Sequence, residues 1–260
     1  MSVITLTTDF GASDWFVGTM KGVIAGIAPN TTVIDLTHDV SPGNIPGGAF
    51  ALAASHRFFP KSTIHVAVVD PGVGSSRKAI AVQTAKGVFV GPDNGVLSWA
   101  LAKEKIRAIR TLENEAYFLH RVSRTFHGRD VFAPVAAHLS RGVPIRKFGP
   151  ALKDFLRLPW PEPRARRGGF EGEVVYIDRF GNAITNLEGR LLEDHGRASC
   201  EVYAKSRSVC PLKSFYQTVP NKSPVALVGS SGLLEIGING GSAASVMGIR
   251  VGTRVLLPAH

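Results

Sequence analysis

An α/β N-terminal domain with a mostly parallel sheet, followed by an all-β, barrel-like C-terminal domain, is the fold class this sequence predicts. Three observations carry that expectation. The first half alternates short β-type runs with segments of helical period. A stretch rich in proline, arginine and glycine, LRLPWPEPRARRGG at 156–169, then interrupts the pattern. Beyond it the helical period fades and short strand-like runs separated by turns take over. The expected organisation is an α/β domain over 1–157, a linker over 158–169 and a β-barrel domain over 170–260.

The elements follow in order. VITLTT (3–8) reads as a strand, and Ser13 or Asp14 is the expected cap of a helix carrying Phe16, Met20, Val23, Ile24 and Ile27. Pro29-Asn30 stops that helix, and TTVIDLT (31–37) is the next strand. A small-residue helix over about 47–59 ends at Pro60. IHVAVV (64–69) reads as a third, buried strand. AIAVQT (79–84) and GVFVG (87–91) flank Ala85-Lys86 as a hairpin. GVLSWALAK (95–103) and DVFAPVAAHL (130–139) read as helices. In the second half FEGEVVYIDRF, SCEVYAK, VALVGS, LLEIGI and TRVLLP are the strands.

Composition narrows the function classes. The 260 residues are 44% hydrophobic and 19% charged, as expected of a folded globular chain. Met1 leads directly into strand-like sequence with no basic n-region or signal-type apolar core, and no run is long enough to span a bilayer. A cytoplasmic protein without a membrane partner is therefore expected. Cys200 and Cys210 have no metal-like spacing to histidines, and two unpaired thiols are expected. The net charge of +10 raises the question of nucleic acid. The densest basic cluster, RARR at 164–167, lies in the linker-like stretch, and no nucleic-acid motif accompanies it. A solvated basic surface is the expectation, with no nucleic-acid partner.

Five polar stretches hold the candidate chemistry: TTDFG (7–11), VVDPGVGSSR (68–77), TFHGRD (125–130), DRFGNAITN (178–186) and GSSGLLEIGINGGS (229–242). In open α/β sheets ligands bind outside the carboxyl ends of the strands, where Asp9 and Asp70 fall. Asp9 has the chemistry to accept both hydroxyls of a ribose. Asp70 and Arg77 bracket a glycine-rich loop. It lacks the lysine of a Walker motif, and a strand rather than a helix follows it, so it is a poor phosphate site. From these residues alone, an ion pair bracing a turn and a pair aimed at a substrate remain equally open. His127 stands at a helix entrance between Phe126 and Gly128, where a polar tip can face a cleft. In DRFGN, Phe180 suits stacking on a base, Asn182 its polar edge, and Asp178 an ammonium. The Ser230 and Ser231 hydroxyls and backbone N–H groups of GSSG suit a carboxylate. No His/Asp/Glu group has metal-site spacing, so a catalytic metal is not expected.

The ordered set TDFG, VVDPGVG–R, PDNG, TFHGRD–FAP–AA, D-x-FGN–TN and GSSG–LEI–N–GSA resembles the S-adenosyl-L-methionine hydroxide adenosyltransferases, relatives of the adenosyl fluorinases and chlorinases. The resemblance runs from about residue 4 to 255. It implies an α/β domain with a C-terminal β-barrel, and hydrolysis of S-adenosylmethionine to adenosine and methionine with no cofactor. It implies a homotrimer with the site at the subunit interface. It implies that Asp70, Arg77 and His127 form the catalytic set marking the hydrolase branch. It further implies that Asp9 binds the ribose and Asn182 the adenine, with Phe180 nearby. Asp178 would meet the methionine ammonium and Ser230, beside Ser231, the carboxylate. Glu235 and the backbone around Ile238 would complete the contacts. A halide-using transferase and a binding module without turnover are the alternatives.

Overall fold

The computed structural model describes residues 2–191, 201–204 and 207–258. Two compact units divide the chain at Pro159/Trp160.

Unit 1 is built on a six-stranded sheet. Its strands are β1 (Val3–Thr8), β2 (Thr32–Thr37), β3 (Ile64–Val68), β4 (Ala79–Thr84), β5 (Val88–Pro92) and β6 (Ile106–Thr111), in the order β2-β1-β3-β5-β4-β6. β2, β1, β3 and β5 are mutually parallel; the hairpin strand β4 pairs antiparallel with β5, and the edge strand β6 pairs antiparallel with β4. All five residues of β3 are buried, His65 among four apolar neighbours. Helix α1 (Phe16–Ile27) and helix α4 (Ala133–Ser140) cover one face, packing Met20, Ile24 and Ala133–Ala137 onto Ile4, Leu6, Val66 and Val68. Helix α2 (Ile45–Ser55) and the short α3 (Ser98–Leu101) cover the other through Leu52, Leu97 and Leu101 on Ala67, Val69 and Val82.

Several local expectations change. Neither Ser13 nor Asp14 caps α1: Trp15 occupies the N-cap and no side chain bonds the free N–H groups. α2 starts earlier than read, because the Asn44 side chain accepts from the Gly47 N–H. α3 is one turn, because Asn94 Oδ1 takes the Val96 N–H and Ser98 Oγ bonds back to the Gly95 carbonyl, spending the entry on a turn. β6 was not anticipated. Its buried residues, Ile109 and Thr111, are confined to the end of the strand, and the arginines Arg107 and Arg110 fall on opposite faces, so the alternation is weak, as is common at a sheet edge.

Unit 2 is an antiparallel sheet ordered β11-β10-β14-β8-β9-β13-β12. The strands are β7 (Arg164–Arg166), β8 (Gly169–Ile177), β9 (Ala183–Glu188), β10 (Glu201–Ala204), β11 (Arg207–Pro211), β12 (Pro224–Val228), β13 (Leu233–Ile238) and β14 (Arg254–Pro258), with a short helix α5 (Ala243–Met247). A bridge between Leu212 and Ala226 brings the two end strands together, so the sheet is nearly closed and barrel-shaped. Val174, Leu187, Leu234, Ile236, Ile238, Val255 and Leu257 fill its interior. Part of the linker-like stretch is itself strand: β7 pairs with β8, placing Arg164 opposite Glu171. Cys200 lies outside the described residues, and with it the expectation of unpaired thiols. Among the described residues no helix is long and apolar enough to cross a membrane.

Candidate active site

Parallel pairing places the ends of β1 and β3 side by side, with Thr8 in register with Val68. Asp9 and Asp70 therefore emerge at the same edge of the sheet, the edge where open α/β folds hold ligands. Asp9 Oδ2 accepts the Gly43 N–H at 2.7 Å. Asp9 thus anchors the loop after β2 rather than capping the turn that follows it.

The 70–77 loop folds back on itself. Val73 N–H bonds to the Asp70 carbonyl, and the Ser75 N–H and Oγ both donate to the Gly72 carbonyl. Gly74 adopts φ +77°, and a Cβ there would collide with the carbonyl oxygen of Arg124. Glycine is needed for both reasons, and its contact ties this loop to the segment carrying His127.

The fold-back brings Arg77 onto Asp70. Arg77 Nε lies 3.1 and 2.9 Å from the two carboxylate oxygens, and Nη2 lies 2.5 Å from Oδ2. The same Nη2 reaches His127 Nδ1 at 2.7 Å. The guanidinium sits 5.5 Å over the Phe132 ring, and only 4% of the Asp70 side chain and 11% of that of Arg77 is exposed. Asp70, Arg77 and His127 thus form one contiguous cluster across fifty residues of sequence.

The chemistry of that contact sets the state of His127. Guanidinium has no acceptor, so Nδ1 must offer its lone pair, and the proton of the neutral ring sits on Nε2. Burial holds the imidazole pKa below its ordinary value, and the charge of Arg77 adds to the effect against opposition from Asp70 and Asp130. The residue before His127 is anchored in the core: Phe126 is buried in edge-on contact with Phe10 at 5.7 Å and Phe16 at 5.1 Å. Arg129 pairs with Asp130, whose other oxygen accepts the Ser123 N–H, so both brace the segment. His38 is likewise structural, bonded to Thr8 and 3.0 Å from Asp35.

Unit 2 holds a second polar chain. Asp178 Oδ1 accepts the N–H groups of Phe180 and Asn182, and Oδ2 accepts the Asn182 side-chain amide at 3.0 Å. The other Asn182 N–H goes to the Tyr216 hydroxyl at 3.1 Å, and Tyr216 donates to Glu235. Burial and the nearby Asp178 charge raise the Glu235 pKa, while the Tyr216 hydrogen bond opposes the rise. Phe180 projects into solvent with 78% of its surface exposed. Ser230 and Ser231 form the turn from β12 to β13, beside Gly229, which packs on the Glu235 carboxylate. Ser231 Oγ is buried with no partner among the described residues. The Ile238 side chain belongs to the barrel core, and its carbonyl accepts the Gly241 N–H. Tyr216 escaped the sequence reading, because nothing in SFYQT signals that the loop folds over Asn182. Among the described residues no group of three or more His, Cys, Asp or Glu is placed to hold a metal.

An α/β unit whose strand ends present a carboxylate–guanidinium–imidazole cluster, followed by a β-barrel unit with a half-buried acid–amide–phenol chain, defines a two-unit enzyme-like class. Comparison with known proteins gives the family. Residues 4–149 match the SAM hydroxide adenosyltransferase N-terminal domain and residues 172–256 the corresponding C-terminal domain. The chain belongs to the SAM hydroxide adenosyltransferase family. It is 41% identical to the (R)-S-adenosyl-L-methionine hydrolase of Salinispora tropica over 98% of this chain and 97% of that protein. It is 37% identical to the (R)-S-adenosyl-L-methionine hydrolase of Thermus thermophilus over 99% and 100%. The fluorinase of Actinopolyspora mzabensis is more distant, 26% identical over 97% and 96%. The crystal structure of a conserved protein from Thermotoga maritima superposes with a TM-score of 0.92 at 35% identity, covering 98% of this chain and 99% of that one.

Proposed function

We propose that this protein hydrolyses S-adenosyl-L-methionine to adenosine and L-methionine by attack of water at C5′. The carbon–sulfur bond breaks as the oxygen–carbon bond forms, and the electron pair leaves on sulfur as a neutral thioether. The leaving group needs no general acid, and no tetrahedral oxyanion forms. Catalysis reduces to holding one water in line and removing its proton.

The single observation that carries the mechanism is the 2.7 Å contact from Arg77 to His127 Nδ1. With Nδ1 occupied, Nε2–H is a donor, so His127 orients the water and Asp70 accepts the proton. Asp70 Oδ1 receives one N–H at 3.1 Å and retains acceptor capacity for the water. Arg77 holds both partners and stabilises hydroxide character by its charge.

Asp9 is assigned to the ribose hydroxyls and Phe180 to the base. Asn182 donates both amide N–H groups within the protein, so its Oδ1 is the atom assigned to the adenine amino group. Asp178 Oδ2 is assigned to the methionine ammonium, Ser230 and Ser231 to the carboxylate, and Glu235 and the Ile238 backbone to the remaining contacts. No cofactor enters the scheme. The reading takes the protein as a cytoplasmic homotrimer whose sites form at subunit interfaces, which a molar mass from light scattering tests.

The decisive experiment is incubation with S-adenosylmethionine in ¹⁸O-water. Label is expected at O5′ of adenosine, and no adenosine above blank overturns the reading. Asp70→Ala and His127→Ala are expected to lose turnover while still binding substrate.

A further inference from the structure

A recess opens onto Arg77 and His127, and none of the residues assigned to the substrate lines it. It is a cleft of about 270 Å³ inside unit 1, and Arg77, His127, Thr111, Glu113, Phe118 and Val122 are among its lining residues. Thr111, the last residue of β6, is part of the lining. This residue is only 5% exposed, yet its Oγ1 has no hydrogen-bond partner among the described residues. A buried hydroxyl left without a partner costs stability, and in folded proteins such groups are ordinarily satisfied by ordered water.

Size and charge restrict what the cleft admits. At about 270 Å³ it lies below the roughly 300–1,000 Å³ of pockets that hold drug-sized ligands. It has room for several waters at about 30 Å³ each. Arg77 and Lys78 are offset by Glu113 and Glu115 along its walls, and His127 is held toward the neutral form. A balanced lining suits a neutral occupant better than an anion.

We infer that this cleft is a water port, through which solvent reaches the Arg77–His127 pair while the nucleoside substrate is bound, with the Thr111 hydroxyl holding a water in the line of supply. The inference rests on the hydrolytic reading above and adds to it a route for the nucleophile. In-line displacement places the water and the departing sulfonium on opposite sides of C5′, so bound substrate stands between its own entrance and the water position. A separate opening onto the same two residues lets that position refill without substrate release.

The test narrows the cleft at a residue outside the reaction. Val122→Trp puts a large ring at the cleft wall from a position 39% exposed in the structure. It is expected to lower kcat about tenfold while the KM for S-adenosylmethionine and the melting temperature stay near wild type. Val122→Ala is expected to keep full activity. Thr111→Val keeps the shape and deletes the hydroxyl; it is expected to lower kcat several-fold with Tm unchanged or raised. A Thr111→Val protein with wild-type kcat overturns the port even if Val122→Trp fails to fold. So does a folded Val122→Trp protein with wild-type kcat. Failure of the wild type to release adenosine would instead strike the hydrolytic reading itself.

Discussion

Acid should weaken unit 1 through one buried side chain, His65. It lies on β3 with 4% of its surface exposed, stacked on Phe89 at 4.9 Å and bonded through Nδ1 to Thr5 Oγ1 at 2.8 Å. Its other ring neighbours are Phe59 and His56, and His56 in turn lies 3.6 Å from Glu104, which also binds Lys86. Burial, reinforced by the neighbouring His56, lowers the His65 pKa from 6.5 to about 3. Above pH 6.5 the ring is neutral in both the folded and unfolded chain and contributes no pH dependence. Below it the unfolded chain binds a proton that the folded chain refuses, so stability falls as pH falls toward 3. The slope is about 1.4 kcal/mol per pH unit, and the full interval from 6.5 to about 3 amounts to about 5 kcal/mol. Denaturant unfolding followed from pH 7.5 to 4.5 in wild type and His65→Gln measures it. The wild type should lose about 2 kcal/mol more than the variant between pH 6.0 and 4.5. Parallel pH profiles for the two proteins would refute the reasoning.

The remaining predictions concern the two polar clusters. Gly74→Ala forces a side chain into φ +77° and against the Arg124 carbonyl, so the loop must withdraw from the His127 segment. A kcat loss of about tenfold or more is expected, and unchanged kcat would show that Gly74 does not hold the cluster together. The downward shift of His127 places its protonation below pH 6.5, and protonation at Nδ1 would oppose the Arg77 contact. kcat should therefore stay flat through neutral pH and fall only below the ordinary histidine range. A limb centred above 6.5 that disappears in His127→Gln would contradict this. Tyr216→Phe leaves Glu235 and one Asn182 N–H without their partner, a loss of about 1–3 kcal/mol where the groups are buried. KM should rise several-fold with kcat within about twofold, and an unchanged KM would remove Tyr216 from the site.

The fold class could be read from the chain because each unit advertises its own period. IHVAVV is apolar except for His65 and becomes the doubly covered strand β3; the loss of helical period after the arginine-rich stretch becomes an antiparallel barrel. Elements whose signal is local and weak escaped. Arg107 and Arg110 disguise an edge strand, and a one-turn α3 looks like a full helix until Asn94 and Gly95 fold the entry into a turn.

The sequence by itself determined which residue types stand at the strand ends: Asp9 after β1, Asp70 after β3, and a glycine-rich return to Arg77. Tertiary structure decided what they do to one another. Parallel pairing of β1 with β3 and the close approach that Gly74 permits draw His127 to Arg77 from fifty positions away, and no local pattern encodes that distance. Contact with a group that can only donate then dictates which ring nitrogen carries the proton. The same holds for Tyr216, ordinary in sequence, which joins Asn182 to Glu235 because the loop before β12 folds over β13. Local periodicity is written in neighbouring residues, whereas protonation state depends on which distant groups the fold brings within hydrogen-bond reach.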